Sequence, residues 1–371
     1  LKFFSCICFQ AAATMLVWLL AIPLVLVGAA VAFVAALLVA LYFYHLRLHS
    51  AHVAGAEKAA AAAPKWEAKR LQSDALAYHT VCNFRDVSAL RVDDPKVQDD
   101  EGRCPSLKAG VLFRCGVPTS ASAKDIVDMQ DGVGIQTWVD LRGVDEVVKD
   151  KLDWRQKKHE GIHSSGEPQA GEPWGRRYVH VGVFPGKVAI AAIATPLELA
   201  GLAVLGLTGK KDVAREKGMA LFGRLAGGAG LRGFYTILLD CGKKELARVL
   251  RVLLAAPTPI AFHCTAGKDR TGCVAMIVML LCGATSEQVI ETYAMSERLI
   301  TAEAETAIRG IAAAGFPEEF LFGTPPEVME YTLTWFHKRF GTVEAYCLDH
   351  LGLSAEEVDG LRSKFSEPAQ G

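Results

Sequence analysis

The sequence predicts an α/β fold, a central sheet flanked by helices, with an N-terminal transmembrane helix and a helical insertion. Three observations carry this expectation. From residue 79 onward, short apolar runs bounded by turns alternate with helical stretches, the pattern of strands layered by helices. From Phe3 to Leu46 there is no Lys, Arg, Asp or Glu. A second apolar patch, from Val181 to Leu207, is broken by Pro185, Lys187, Pro196 and Glu198, which suits amphipathic helices better than a spanning segment.

The chain has 371 residues, 51% of them hydrophobic, and sets 40 basic side chains against 41 acidic ones. A disordered chain needs low hydrophobicity and high net charge, and a nucleic-acid binder needs a basic excess, so no nucleic-acid partner is expected. Ten cysteines in this length are too few for a disulfide scaffold, and no paired CxxC clusters offer structural zinc. Free, reduced thiols are the expectation.

Taken in order, residues 1–44 read as a membrane anchor. The run from Ala11 to Tyr44 would be roughly 50 Å long as a helix at about 1.5 Å per residue, against a hydrocarbon core of about 30 Å. A cleaved signal peptide has an apolar stretch of only about 7–15 residues. Arg47, Lys58, Lys65, Lys69 and Arg70 come after the run and only Lys2 precedes it, which places the C-terminal bulk on the cytoplasmic side of a single-pass protein. Residues 45–78, rich in alanine, read as a juxtamembrane linker. His45, His49 and His52 have helical metal-ligand spacing, but their position at a membrane boundary argues against a metal there.

Residues 79–366 form the expected soluble domain. Strands are predicted at 111–113, 136–141 and 260–262, and helices at 122–130, 243–254, 271–281, 286–299, 302–314 and 326–340. The insertion spans 181–233, packed on the core or acting as a lid, and Gly227, Gly228 and Gly230 separate it from the helical run that leads to residue 259.

The chemistry concentrates in Pro259 to Gly272, PIAFHCTAGKDRTG. An apolar strand ends at His263, Cys264 comes next, five residues lead to Arg270 and Thr271, and an apolar helix begins. A loop closing into a helix N-terminus gathers backbone N–H groups around one point and adds the positive end of the helix dipole, an anion cradle. The same groups stabilise a thiolate, which makes Cys264 a nucleophile. Arg270 supplies a planar fork for two phosphate oxygens, and Thr271 a hydroxyl for the thiolate. Thr265, Ala266, Gly267 and Lys268 form the rest of the cradle. His263 is expected to orient the loop and tune Cys264 rather than act as a base. The acid that protonates the leaving oxygen must be a carboxylic acid within reach, and Asp269 and Asp140 are the candidates. No metal or cofactor is required.

Two other motifs compete with this reading. A Walker loop would need glycine where Phe262 stands and Ser or Thr where Asp269 stands. His159, Glu160 and His163 match the zinc-protease HExxH pattern, but Gly161 and the polar SSGEPQAGEPWG beyond it argue against the helix that pattern needs.

HCTAGKDRTG resembles the signature loop of the cysteine-based tyrosine phosphatases, in the bacterial and fungal branch that carries Lys-Asp before the Arg. NFRDV at 83–87, VLFRCG at 111–116 with Cys115 where a serine is usual, WVDLRGVDEV at 138–147 and the C-terminal 341–362 resemble further segments of that family. The resemblance implies Cys264 as nucleophile, Arg270 as phosphate binder, Lys268 as a contact to phosphate or an acidic headgroup, Asp269 in an acid or loop-ordering role, and Asp140 as a second carboxylate facing the loop. It implies a phosphatase acting on phosphotyrosyl proteins, with dual specificity open, or alternatively on phosphoinositides beside membrane lipid. A catalytically silent phospho-binding module is the alternative of another class.

Overall fold

The structure is a computed structural model and describes residues 81–89, 106–150, 164–165, 176–183, 194–300, 305–306, 309 and 323–367. In chain order the elements are β1 (Arg85–Asp86), β2 (Leu112–Cys115), α1 (Ala123–Val127), β3 (Thr137–Asp140), α2 (Val144–Lys149), β4 (Ser164–Ser165), β5 (Arg177–His180), α3 (Pro196–Leu207), α4 (Lys211–Cys241), α5 (Lys243–Ala255), β6 (Ile260–His263), α6 (Asp269–Leu281), α7 (Ser286–Arg298), α8 (Pro326–Phe340) and α9 (Ala355–Phe365).

The strands form one six-stranded sheet in the order β1-β2-β6-β3-β5-β4. β1 runs antiparallel to β2, and every other pairing is parallel. The pleat sends successive side chains to opposite faces, and each central strand therefore feeds two cores. Leu112, Val139, Val179 and Phe262 pack with the long helices on one face. Their chain neighbours Phe113, Trp138, Tyr178 and Ala261 pack with Val81, Phe84, Ile126 and Met129 on the other.

The helices obey their sequences. In α5, Leu246, Val249, Leu250 and Leu253 recur at helical spacing and are all buried. α6 is buried around almost its whole circumference, which accounts for its continuous apolar run. Capping boxes begin α3 at Thr195 with Glu198, α7 at Thr285 with Gln288, and α9 at Ser354 with Glu357.

The registers align Cys115 with His263 and His263 with Asp140, so the carboxyl ends of β2, β6 and β3 lie in one row. Open parallel sheets bind ligands beyond this edge. The loop that leaves β6 therefore emerges from the middle of the sheet.

Several expectations are corrected. No helix among the described residues is long and apolar enough to cross a membrane, against the expected single-pass membrane placement. The anchor (1–44) and linker (45–78), with His45, His49 and His52, lie outside the described residues, as do His159 and His163. At the glycines expected to separate the insertion from the following helical run, α4 is broken at Gly230, whose φ of 67° is left-handed, so that two helical segments meet there. β1, β4 and β5 add to the three predicted strands. Of the helix expected at 302–314, residues 305, 306 and 309 are helical and the rest lies outside the described residues.

Candidate active site

The loop from His263 to Arg270 is held by its carbonyl groups. His263 O accepts from Leu141 N at 2.8 Å, and Thr265 O from Val117 N at 3.0 Å. Asn83 Nδ2 donates to Ala266 O at 3.1 Å and to Gly267 O at 2.8 Å. Arg114 Nη2 donates to Gly267 O at 2.8 Å, and Lys268 O accepts from Gly272 N at 2.7 Å. In a trans peptide the N–H points opposite to the C=O. Fixing the carbonyls from outside turns the next N–H groups along the chain toward the other side, where an anion would sit.

Two residues outside the motif make this possible. Asn83 adopts φ 59°, a left-handed conformation that asparagine tolerates better than most residues, and so presents its amide to the loop. Arg85, wholly buried, donates Nη1 to Asn83 Oδ1 and Nη2 to Thr292 O and Ser296 Oγ, which locks that amide's orientation. Gly267 has φ 70°, and a Cβ there would lie 2.3 Å from backbone atoms of Cys115. Only glycine fits.

Arg270 stands at the first turn of α6, and its guanidinium is gripped by Glu146 of α2. Nη2 reaches Glu146 Oε1 at 2.8 Å, and Nη1 bonds Oε2. Thr265 Oγ1 donates to the same Oε1, and the Gly143 N–H to Oε2 at 2.9 Å. Burial alone would lower the affinity of Arg270 for its proton, but Glu146 beside it holds the guanidinium well above its ordinary pKa. Glu146 is likewise buried, yet Arg270 and these donors hold its carboxyl below the usual value.

Cys264 is buried and free. Cys82, Cys115 and Cys273 are also free and buried close by. Burial, with Cys264 adding to it, pushes the Cys82 thiol up to about 12, and burial pushes Cys115 and Cys273 well above the ordinary thiol value. These three are therefore protonated and inert as nucleophiles. Arg114 adds a cation under the loop: burial lowers it to about 10, still charged at neutral pH, while Cys264 acts in the opposite direction.

His263 touches the start of the loop through its ring. Its Nδ1 lies 3.3 Å from Cys264 O and 3.8 Å from Asp140 Oδ1, two acceptors that place the ring proton on Nδ1. Burial pushes its pKa down to about 4 against the pull of Asp140, so the ring is neutral in the working range. Thr271 Oγ1 is buried with no hydrogen-bond partner among the described residues, a donor still to be used.

The two candidate acids separate clearly. Asp140 has no exposure; Arg142 binds both its oxygens, at 3.1 and 3.0 Å from Nε and 2.8 Å from Nη2, and the Tyr178 hydroxyl donates to Oδ2 at 2.5 Å. Burial raises its pKa, but His263, Arg142 and Tyr178 together carry it well below the carboxylate range. A carboxylate without a proton at working pH, with both oxygens engaged, is no acid. The expectation for Asp140 is corrected to a structural one. Asp269 is partly exposed; its Oδ1 accepts from Tyr235 hydroxyl and Lys268 Nζ, each at 2.8 Å. Lys268 also differs from expectation: it is fully buried, and its Nζ donates to Asp269 and to Gly323 O at 3.2 Å.

Glu146, Asn83, Arg85, Arg114 and Tyr235 received no role from the sequence, although the first four lie in the quoted NFRDV, VLFRCG and WVDLRGVDEV segments. Their signal was the presence of charged side chains beside buried strands, which need partners. No group of three or more His, Cys, Asp or Glu among the described residues could hold a metal ion.

A largely parallel sheet whose central strand leads into a buried thiol, a loop with its carbonyls held outward and a clamped arginine is the frame expected of a phosphate-handling α/β enzyme. The chain belongs to the tyrosine phosphatase family, whose model matches residues 76–367, and it is a phosphatase. It is similar to a Cupriavidus necator protein provisionally named a tyrosine-protein phosphatase, at 24% identity over 77% of this chain and 87% of that protein. It is also similar to a tyrosine-protein phosphatase of Nostoc commune, at 28% identity over 29% of this chain and 39% of that protein.

Proposed function

We propose that this phosphatase hydrolyses phosphotyrosyl proteins through a cysteinyl-phosphate intermediate. The Cys264 thiolate attacks phosphorus, the S–P bond forms as the ester O–P bond breaks, and Asp269 gives a proton to the leaving oxygen. Water then attacks phosphorus, Asp269 takes its proton, and the S–P bond breaks to return the thiolate and release phosphate. The Arg270 fork and the N–H groups of the loop neutralise charge on the three non-bridging oxygens throughout. Thr271 donates to the sulfur as it leaves.

The observation that supports this most is the outward anchoring of the loop carbonyls around Cys264, with Arg270 aimed by Glu146. Protein substrates are preferred to phosphoinositides because Lys268, the cation that would meet additional headgroup phosphates, is buried against Asp269 and the Gly323 carbonyl.

Phosphate release from phosphotyrosyl, phosphoseryl and phosphothreonyl peptides and from a phosphoinositide panel tests this, with Cys264→Ser as control. Turnover of the phosphotyrosyl peptide, lost in the variant, together with acid-quench trapping of phosphate on Cys264, is expected. Turnover confined to inositides would transfer the reading to lipid. Turnover of phosphoseryl peptides at a comparable rate would establish dual specificity. Undiminished activity in Cys264→Ser would remove the mechanism, and no turnover of any substrate by the parent protein would leave a phospho-binding module.

A further inference from the structure

The Tyr235 hydroxyl lies 2.8 Å from Asp269 Oδ1, and Lys268 Nζ donates to that same oxygen. Tyr235 has no exposure and belongs to α4, beyond the break at Gly230. Its ring meets the Tyr293 ring of α7 edge to face, with centroids 5.6 Å apart. Both rings pack against the first turn of α6, where a Cβ added at Gly272 would lie 3.7 Å from Tyr293 and 4.0 Å from Tyr235. The phenol is therefore fixed by packing, and burial, reinforced by Asp269, holds it protonated, well above its ordinary pKa. It serves as a donor and not as an acid–base group.

A carboxylic acid has two oxygens, and only one carries the proton. With two donors directed at Oδ1, Oδ2, which neither donor engages, is the oxygen left to hand a proton to the leaving group. We infer that Tyr235 is a positioning residue for the phosphoryl-transfer step, fixing through Oδ1 which oxygen of Asp269 delivers the proton to the leaving group. This rests on the assignment of Asp269 as the acid. Proton delivery matters in proportion to how poor the leaving group is: 4-nitrophenolate departs with little help, phenolate only when protonated.

The full chain with Tyr235→Phe, and separately with Asp269→Asn, is assayed on 4-nitrophenyl phosphate and on phenyl phosphate. Tyr235→Phe is expected to lower kcat about 10-fold or more on phenyl phosphate and less than about 3-fold on 4-nitrophenyl phosphate, with KM unchanged; Asp269→Asn should show the same asymmetry, more strongly. Equal losses on both substrates in Tyr235→Phe, or no loss, overturn the positioning role while Asp269→Asn remains asymmetric. A symmetric Asp269→Asn removes the acid assignment itself. Should Tyr235→Phe fail to fold, a graded series of fluorotyrosines at position 235 keeps ring and hydroxyl while changing donor strength. Turnover of phenyl phosphate is expected to vary along that series and turnover of 4-nitrophenyl phosphate to stay level; a series flat on both overturns the inference.

Discussion

Glu146 of α2 receives both ends of the Arg270 guanidinium, Oε1 at 2.8 Å from Nη2 and Oε2 bonded to Nη1. The arginine rotates only as far as α2 allows. Glu146→Ala is expected to lower kcat/KM about 10²-fold, because a fork misplaced by about 1 Å loses its alignment with the phosphate oxygens. Arg270→Lys keeps the charge and loses the fork, and should fall at least as far. Steady-state kinetics on a phosphotyrosyl peptide check both; a Glu146→Ala enzyme within twofold of the parent would show that the clamp is dispensable.

At Gly267 the constraint is steric. A methyl group would sit 2.3 Å from the Cys115 carbonyl carbon and oxygen, on a backbone already at φ 70°. Gly267→Ala should destabilise the fold by about 2 kcal/mol or more and open the cradle, reducing phosphate or vanadate affinity together with turnover. Denaturant unfolding and vanadate titration measure the two effects separately.

Removing the loop's outer anchor should act without touching the reacting groups. Asn83→Ala deletes two buried hydrogen bonds to loop carbonyls and leaves Arg85 without its Oδ1 partner. A loss of about 1–3 kcal/mol is expected by denaturant unfolding, with reduced turnover on every substrate alike.

Stability should fall on acidification above the carboxylate range. Buried His263 holds its pKa near about 4, whereas its unfolded value is 6.5. Between those values the unfolded chain binds more protons, so stability is full above about pH 6.5 and declines as pH falls toward 4. The denaturation midpoint of the parent should show this slope and that of His263→Gln should lack it; identical slopes would place the acid sensitivity elsewhere.

On α3, Leu197 is 84% exposed and Leu207 87% exposed. Leu197→Ser and Leu207→Ser should therefore change stability by no more than about 0.5 kcal/mol, as read by thermal melts. A loss of about 2 kcal/mol in either would mean that the residue is buried in the folded protein in solution.

The legible part of the sequence was its local pattern. The apolar runs of β2, β3 and β6 and the spacing of α5 and α8 declared themselves, and the candidate loop was readable because its strand, loop and helix are contiguous. β5 was not: Arg177 and His180 flank only two nonpolar residues, so its burial comes from its place between β3 and β4 rather than from its composition. The partners of the loop were hidden for a different reason. Glu146 lies 124 residues from Arg270, and Asn83 lies 184 residues from Gly267, and no periodicity records a pairing made by the fold. Asp140 carried the opposite fault: a carboxylate at a strand end looks available until Arg142, two residues on, is seen to occupy it.

A cradle assembled from main-chain amides, held open by side chains on its far surface, is a socket that reads shape and charge and is blind to the rest of the molecule. On the proposed reading, any tetrahedral oxyanion of the right size would fit it, including the product. Selectivity for one partner over another must then come from the rim, where residues can change freely without disturbing the socket, and inhibitors aimed at the anion alone will not distinguish this enzyme from others built the same way.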